Sequence, residues 1–306
     1  MTVHPLRAAL SGPIASVHTP FLQDGEIDYP SLRRMVDFAV EGQAAALMLT
    51  FGNSLYSLLS DAEVMDVTRV VVAQAARRVP VVAADRAWAT TQTVDFARAC
   101  RDLGADVLMV LPPDWAGSCT VDTLVEHYAA VAAELPVMVV TNLFAQSQPR
   151  GLATSTRLRD EVPGVVAVKD DVCGVFGRKL ATLVGSSWAV LAGGQKQNHF
   201  DAWPYGCTGY LSTFSVFAPQ IAQRYWQAIQ REDRAAAVAV IQEFDMPFFD
   251  QIIPLPGGFD AGIHATLEIF GLAQRWRRKP YHSLGDVDVE RLRLFFREKG
   301  LVTGDL

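Results

Sequence analysis

A chain of 306 residues, half of them apolar, has material for one large core and is longer than most simple sandwiches or bundles need. Lys and Arg number 27 against 33 Asp and Glu, and the formal charge of −6, with no basic block to override it, gives no electrostatic reason to bind nucleic acid. Polar residues, Pro and Gly interrupt the opening MTVHPLRAALSGPIASVHTP, so no secretory or membrane-spanning segment is expected there. Cys100, Cys119, Cys173 and Cys207, without CxxC or metal-like spacing, are expected as free thiols of a cytoplasmic protein.

In chain order, short apolar runs alternate with longer amphipathic stretches. The runs are Pro13–Ser16, Ala45–Thr50, Val79–Ala83, Val107–Leu111, Val137–Thr141, Val165–Val168, Ala189–Ala192 and Gly209–Ser212. Uniformly apolar runs of this length suit strands buried on both faces, as in a parallel sheet. Asp24 and Gly25 mark a turn before the first helix, and Ser60-Asp-Ala-Glu63 reads as a capping box opening the second. After the eighth run the alternation stops. Helices are expected around Arg231–Phe248, Asp260–Phe270 and Val289–Glu298, with the Pro/Gly-rich 254–258 separating the first two. The expected fold is a (β/α)8 TIM barrel over 1–230 with a helical C-terminal extension over 231–306. A doubly wound open sheet shares the alternation, but no GxGxxG follows the first strand, and Gly193-Gly194 comes after the seventh.

In such a barrel, chemistry sits at the C-terminal ends of the strands. The run GVVAVKDD at 164–171 puts Lys169 at the mouth of the sixth strand. There desolvation would favour the free amine that carbonyl addition requires; the alternative is a lysine with its head in water beside Asp170 and Asp171. His18 and His264 pair with no serine or cysteine motif, no GxSxG is present, and no His/Asp/Glu spacing resembles a metal site.

Taken together, GPIASVHTPF at 12–21, DGEID at 24–28, GVVAVKD at 164–170 and GCTGYLST at 206–213 resemble the dihydrodipicolinate synthase / N-acetylneuraminate lyase superfamily, nearly end to end and including Gly300-Leu301, expected in the last helix. The resemblance implies that Lys169 forms a Schiff base with pyruvate or another 2-oxo acid, without a cofactor or metal. Leu111-Pro112-Pro113 and Val168-Lys169-Asp170 look most like the branch of 5-dehydro-4-deoxyglucarate dehydratases. It also implies a homotetramer or homodimer, with Asp114 and Trp115 placed where relatives cross the dimer interface.

The chain departs from the family pattern at several points. The carboxylate-binding Gly-Thr-Thr-Gly-Glu segment corresponds to Phe51-Gly-Asn-Ser-Leu55, where Asn53 and Ser54 still offer an amide, a hydroxyl and backbone N–H groups, or form only a turn. The proton-relaying tyrosine corresponds to Thr141, a far weaker acid than a phenol. Tyr56 and Asp114 are the candidate replacements; the first would otherwise pack under its loop and the second would be a solvated loop carboxylate. Arg86 is a candidate carboxylate clamp, or a surface partner of Asp85, with Trp88 as a pocket wall. On the seventh strand Gly193-Gly194-Gln195 replaces an acidic Gly-Asp-Asp pattern, and Gly193, with Ser212 at the eighth strand, completes the substrate-binding set.

The expected function is thus a Schiff-base-forming lyase, aldolase or dehydratase, acting through Lys169 on a small 2-oxo acid. The alternatives are a non-catalytic metabolite-binding barrel and a specialised biosynthetic aldolase or condensing enzyme whose apolar pocket is enlarged by Trp88, Trp115 and Phe144.

Overall fold

The computed structural model describes residues 4–114 and 117–302. Eight parallel strands close on themselves in sequence order: β1 Gly12–Ser16, β2 Ala46–Met48, β3 Val81–Ala84, β4 Val107–Val110, β5 Val137–Val140, β6 Val165–Asp170, β7 Ala189–Ala192 and β8 Gly209–Ser212. Every strand residue is buried, because one face fills the barrel and the other lies under helices. The seam joins Gly12 to Gly209 and Ala15 to Ser212. A Cβ on Gly209 would lie 2.6 Å from the Gly12 carbonyl oxygen, so the strands can approach this closely only because residue 209 has no side chain.

The helices are α1 Leu6–Ala9, α2 Tyr29–Glu41, α3 Asp61–Ala75, α4 Thr90–Leu103, α5 Val121–Ala132, α6 Gln148–Glu161, α7 Gly174–Val184, α8 Lys196–Ala202, α9 Pro219–Gln230, α10 Arg234–Val240, α11 Met246–Ile252, α12 Gly258–Ile269 and α13 Asp286–Glu298. Helix α2 starts where the Asp28 carboxylate accepts from the Ser31 N–H, and α3 starts on the Ser60/Glu63 capping box. A π-helical turn, Ile241–Asp245, joins α10 to α11 into one long segment. The short α1 has no apolar run to announce it. Its Arg7 closes the N-terminal end of the barrel by donating to the carbonyls of Gly185 and Trp188.

The sixth strand is two residues longer than its apolar run, since Lys169 pairs with Val140 and Leu191 and Asp170 with Ala192. Hydrophobicity ends the run at Val168, while the backbone ladder continues. Gly300-Leu301 lies just past α13, where Gly300 takes a φ of +66° and donates to the Arg297 carbonyl. The C-terminal helices pack on the mouth of the barrel. Phe214, after β8, meets Phe248 of α11 at 5.1 Å, and Phe217 meets Phe270 and Phe296 at 5.2 and 5.7 Å. His18, after β1, meets His264 of α12 edge-on at 6.0 Å. All four cysteines are free thiols, Cys100 and Cys207 being buried. Among the described residues, no helix is long and apolar enough to cross a membrane.

Candidate active site

At the mouth of β6, Lys169 is only 7 % exposed, and its Nζ lies 2.5 and 2.6 Å from the two carboxylate oxygens of Asp171. The lysine head is therefore neither in water nor alone in an apolar pocket: it is clasped by a carboxylate two residues along the chain. Asp171 is itself fixed, because its N–H donates to Thr141 Oγ1 at 2.9 Å. The same Thr141 hydroxyl donates to Asp170 Oδ1 at 2.8 Å, and Asp170 accepts from the N–H groups of Val172 and Cys173 at the start of α7. Burial pushes the Asp170 carboxyl above its ordinary range against these hydrogen bonds.

Gly193, at the mouth of β7, completes the arrangement. A Cβ there would sit 2.1 Å from Asp171 Oδ1, so the missing side chain is the space that Asp171 fills. Lys169, Thr141 and Gly193 are thus brought together, and Asp171, absent from the sequence-derived set, joins them. The sequence puts it two residues after Lys169, just beyond the end of β6, and the hydrogen bond from its N–H to Thr141 holds it back against the lysine. Thr141 is committed to two hydrogen bonds that set the Asp170–Asp171 corner and acts as a positioning residue.

Asn53 and Ser54 stand at the mouths of β1 and β2. The Asn53 amide donates to Ser16 Oγ at 2.7 Å and its N–H to Thr50 Oγ1 at 2.9 Å. Ser54 Oγ donates to the Val17 carbonyl and accepts from the Thr50 N–H, while the Ser54 carbonyl accepts from Thr19. The N–H groups of Ser54, Leu55 and Tyr56 go to carbonyls of the same loop. Ser54 is fully buried, and its hydroxyl closes the loop instead of facing a ligand. Asn53 is half-buried.

The other predicted site residues lie elsewhere. Tyr56 is fully buried with its hydroxyl turned toward Thr68 of α3, among Cys100 and Asp85; burial raises its pKa, and it packs under its loop rather than relaying protons. Asp114 is not a solvated carboxylate. It is buried against Arg150, 2.5 Å from Nη2, and accepts from the Cys119 N–H. Arg86 pairs with Asp61 of α3 at 2.7 Å, whereas Asp85 is fully buried and accepts from the Leu111 N–H. The Asp85–Arg86 surface pair does not form, and desolvation lifts the Asp85 carboxyl to about 7. Trp88 packs on Phe96 of α4 at 5.0 Å. The half-buried Trp88 lines a hollow with Met65, Gln92 and Phe96 between α3 and α4, Phe144 is buried against Gly151 of α6, and Trp115 lies outside the described residues. Ser212 is buried at the end of β8, where its Oγ accepts from the Ser215 N–H.

A second lysine, not singled out in the sequence, is buried more deeply. Lys196 Nζ lies 2.7 Å from Asp245 Oδ1 of the π turn and 3.9 Å from the centre of the Phe214 ring. Beside it, Tyr225 Oη donates to the Lys196 carbonyl and lies 2.8 Å from His199 Nδ1. Among the described residues, no group of three or more His, Cys, Asp or Glu stands close enough to hold a metal ion.

The sequence profile of the dihydrodipicolinate synthetase family matches residues 9–295. A 4-hydroxy-tetrahydrodipicolinate synthase of Methylococcus capsulatus is 28 % identical over 96 % of this chain and 100 % of its own length. A Bradyrhizobium protein named "Probable 5-dehydro-4-deoxyglucarate dehydratase" is 30 % identical over 95 % of this chain and 94 % of its own. The crystal structure of dihydrodipicolinate synthase from Acinetobacter baumannii complexed with pyruvate superposes with a TM-score of 0.81, at 24 % identity, over 96 % of this chain and 100 % of that one, a likeness of fold.

Proposed function

The chain belongs to the dihydrodipicolinate synthetase family and is an enzyme of its class I lyase type, and from that premise we propose that Lys169 forms a Schiff base with a small 2-oxo acid. The observation that carries this reading is Lys169 itself, buried at the strand-six mouth where barrel chemistry is performed. Amine addition to the carbonyl gives an iminium, which draws electrons from the neighbouring carbon and makes its C–H bond acidic or its C–C bond cleavable. Aldol cleavage, condensation and dehydration all proceed from that species. Asn53, carrying an amide beside Ser16, is the group proposed to hold the substrate carboxylate.

Two substrates to try come with the relatives: the pyruvate bound in the Acinetobacter baumannii structure and the 5-dehydro-4-deoxyglucarate in the name of the dehydratases. Borohydride reduction in the presence of pyruvate or a 5-dehydro-4-deoxy sugar acid is expected to add the reduced acid to Lys169, as read by peptide mass. Lys169→Ala is expected to abolish the adduct and all turnover. Failure of every 2-oxo acid to label Lys169 in the folded protein rejects the proposal. Assembly into a homodimer or homotetramer belongs to the same reading, and light scattering at the working concentration tests it.

A further inference from the structure

The Schiff-base cycle needs a group that takes protons from the amine and returns them to the departing oxygen. In this chain the position expected to carry a phenol holds Thr141, whose hydroxyl is spent on Asp170 and on the Asp171 N–H. Tyr56 faces away, and Asp114 is bound to Arg150. One acid remains in contact with the reacting nitrogen. Both oxygens of Asp171 touch Lys169 Nζ, and the carboxylate side chain keeps 28 % of its surface exposed, which leaves a path to an incoming substrate. The room for it is provided on a neighbouring strand by Gly193, and its backbone is pinned from the other side by Thr141.

Resting on the Schiff-base reading above, we infer that Asp171 is the catalytic acid–base group of this site, carrying the proton traffic that the expected phenol would have carried. The Lys169 ammonium passes a proton to Asp171, and the freed lone pair forms the C–N bond while the carbonyl π pair moves to oxygen. Asp171 returns its proton to that oxygen and takes one from nitrogen, giving the neutral carbinolamine. It then protonates the hydroxyl; the C–O bond breaks, water leaves, and the nitrogen lone pair completes the C=N bond. The product is an iminium beside an Asp171 carboxylate, the same charge pair as at the start. That carboxylate is placed to remove a proton from the carbon next to the iminium, leaving the neutral enamine.

The opposite role for the same contact is restraint, in which Asp171 only holds the lysine protonated. The two differ in sign. Asp171→Asn removes the proton carrier but also frees the amine from its counter-ion. As acid–base group, its loss slows pyruvate trapping on Lys169 by roughly 100-fold or more, and Asp171→Glu recovers most of the rate. Trapping that is unchanged or faster in Asp171→Asn overturns the inference. Formaldehyde with cyanoborohydride, a carbonyl probe that owes nothing to 2-oxo acid recognition, separates the two levels. If no 2-oxo acid labels the native protein, the Schiff-base substrate reading falls, and formaldehyde labelling of Lys169 still decides Asp171: slowed in the Asn variant it stands, unchanged or faster it fails. Melting temperatures check the fold, and Asp171→Ser takes the place of the Asn variant if that one does not fold.

Discussion

Two lysine–aspartate pairs at the mouth of one barrel invite comparison. Lys169 and Asp171 sit two residues apart at the end of β6, and the carboxylate reaches solvent. Lys196 and Asp245 are 49 residues apart, 1 % and 2 % exposed, and join α8 to the π turn of the C-terminal extension. Burial lowers the pKa of Lys196, and its ammonium rests on the Phe214 ring. By depth alone Lys196 is the better candidate for an activated amine. What separates the two is exposure and company: the buried pair is sealed under aromatic side chains and ties α8 to the π turn, while the carboxylate of the pair ending β6 keeps 28 % of its side chain in solvent.

The largest effect that bears on this contrast is expected at the sealed pair. Lys196→Ala leaves Asp245 buried without a counter-ion and is expected to cost about 3–5 kcal/mol in denaturant unfolding, whereas Lys196→Met with Asp245→Leu is close to neutral. If Lys196→Ala instead abolishes adduct formation while the melting temperature holds, the assignment of the two lysines is reversed.

Next in size is Gly193→Ala. The added methyl group must displace the Asp171 carboxylate, and a shift of about 1 Å is enough to slow trapping on Lys169 by as much as 100-fold. Stability should change little. An undiminished trapping rate shows that the position of Asp171 is not critical.

The docking region should also be acid-sensitive. Burial lowers the pKa of His199 to about 3, so the folded protein keeps it neutral while the unfolded chain takes up a proton near 6.5. Below 6.5 the unfolded state binds the extra proton, so stability falls as pH drops from 6.5 toward 3, by about 2 kcal/mol at pH 5 from this group. His199→Phe is expected to flatten that slope in pH-dependent melting, and an unaltered slope rejects the assignment. The smallest change expected is for Thr141→Val, which removes two hydrogen bonds at the β6 corner. It should cost about 1 kcal/mol and slow trapping through the displaced Asp171, a rate that Thr141→Ser restores.

Much of the scaffold was legible along the chain. Uniform apolar runs placed all eight strands, and the Ser60/Glu63 box opened its helix as expected. The runs were silent on α1, which has four residues and no periodic face, and on the last two residues of β6, which continue the ladder with charged side chains. The position of Lys169 at the mouth of β6 was legible, and the surroundings of the other candidates were much less so. Ser54, Asp114 and Arg86 were plausible by type and strand position, yet each is committed to a partner from another segment, Val17, Arg150 and Asp61, while Tyr56 is fully buried with no hydrogen-bond partner for its hydroxyl.

The sequence by itself determined the barrel, because strand burial follows from local hydrophobicity, and it placed Lys169 at a strand mouth, because it directly follows the apolar run of β6. Only the tertiary structure decided which polar groups remain free to act. Hydrogen bonds and ion pairs are allotted by distances across β5, β6 and β7, and those distances placed the Asp171 carboxylate against Lys169 in the space left by Gly193.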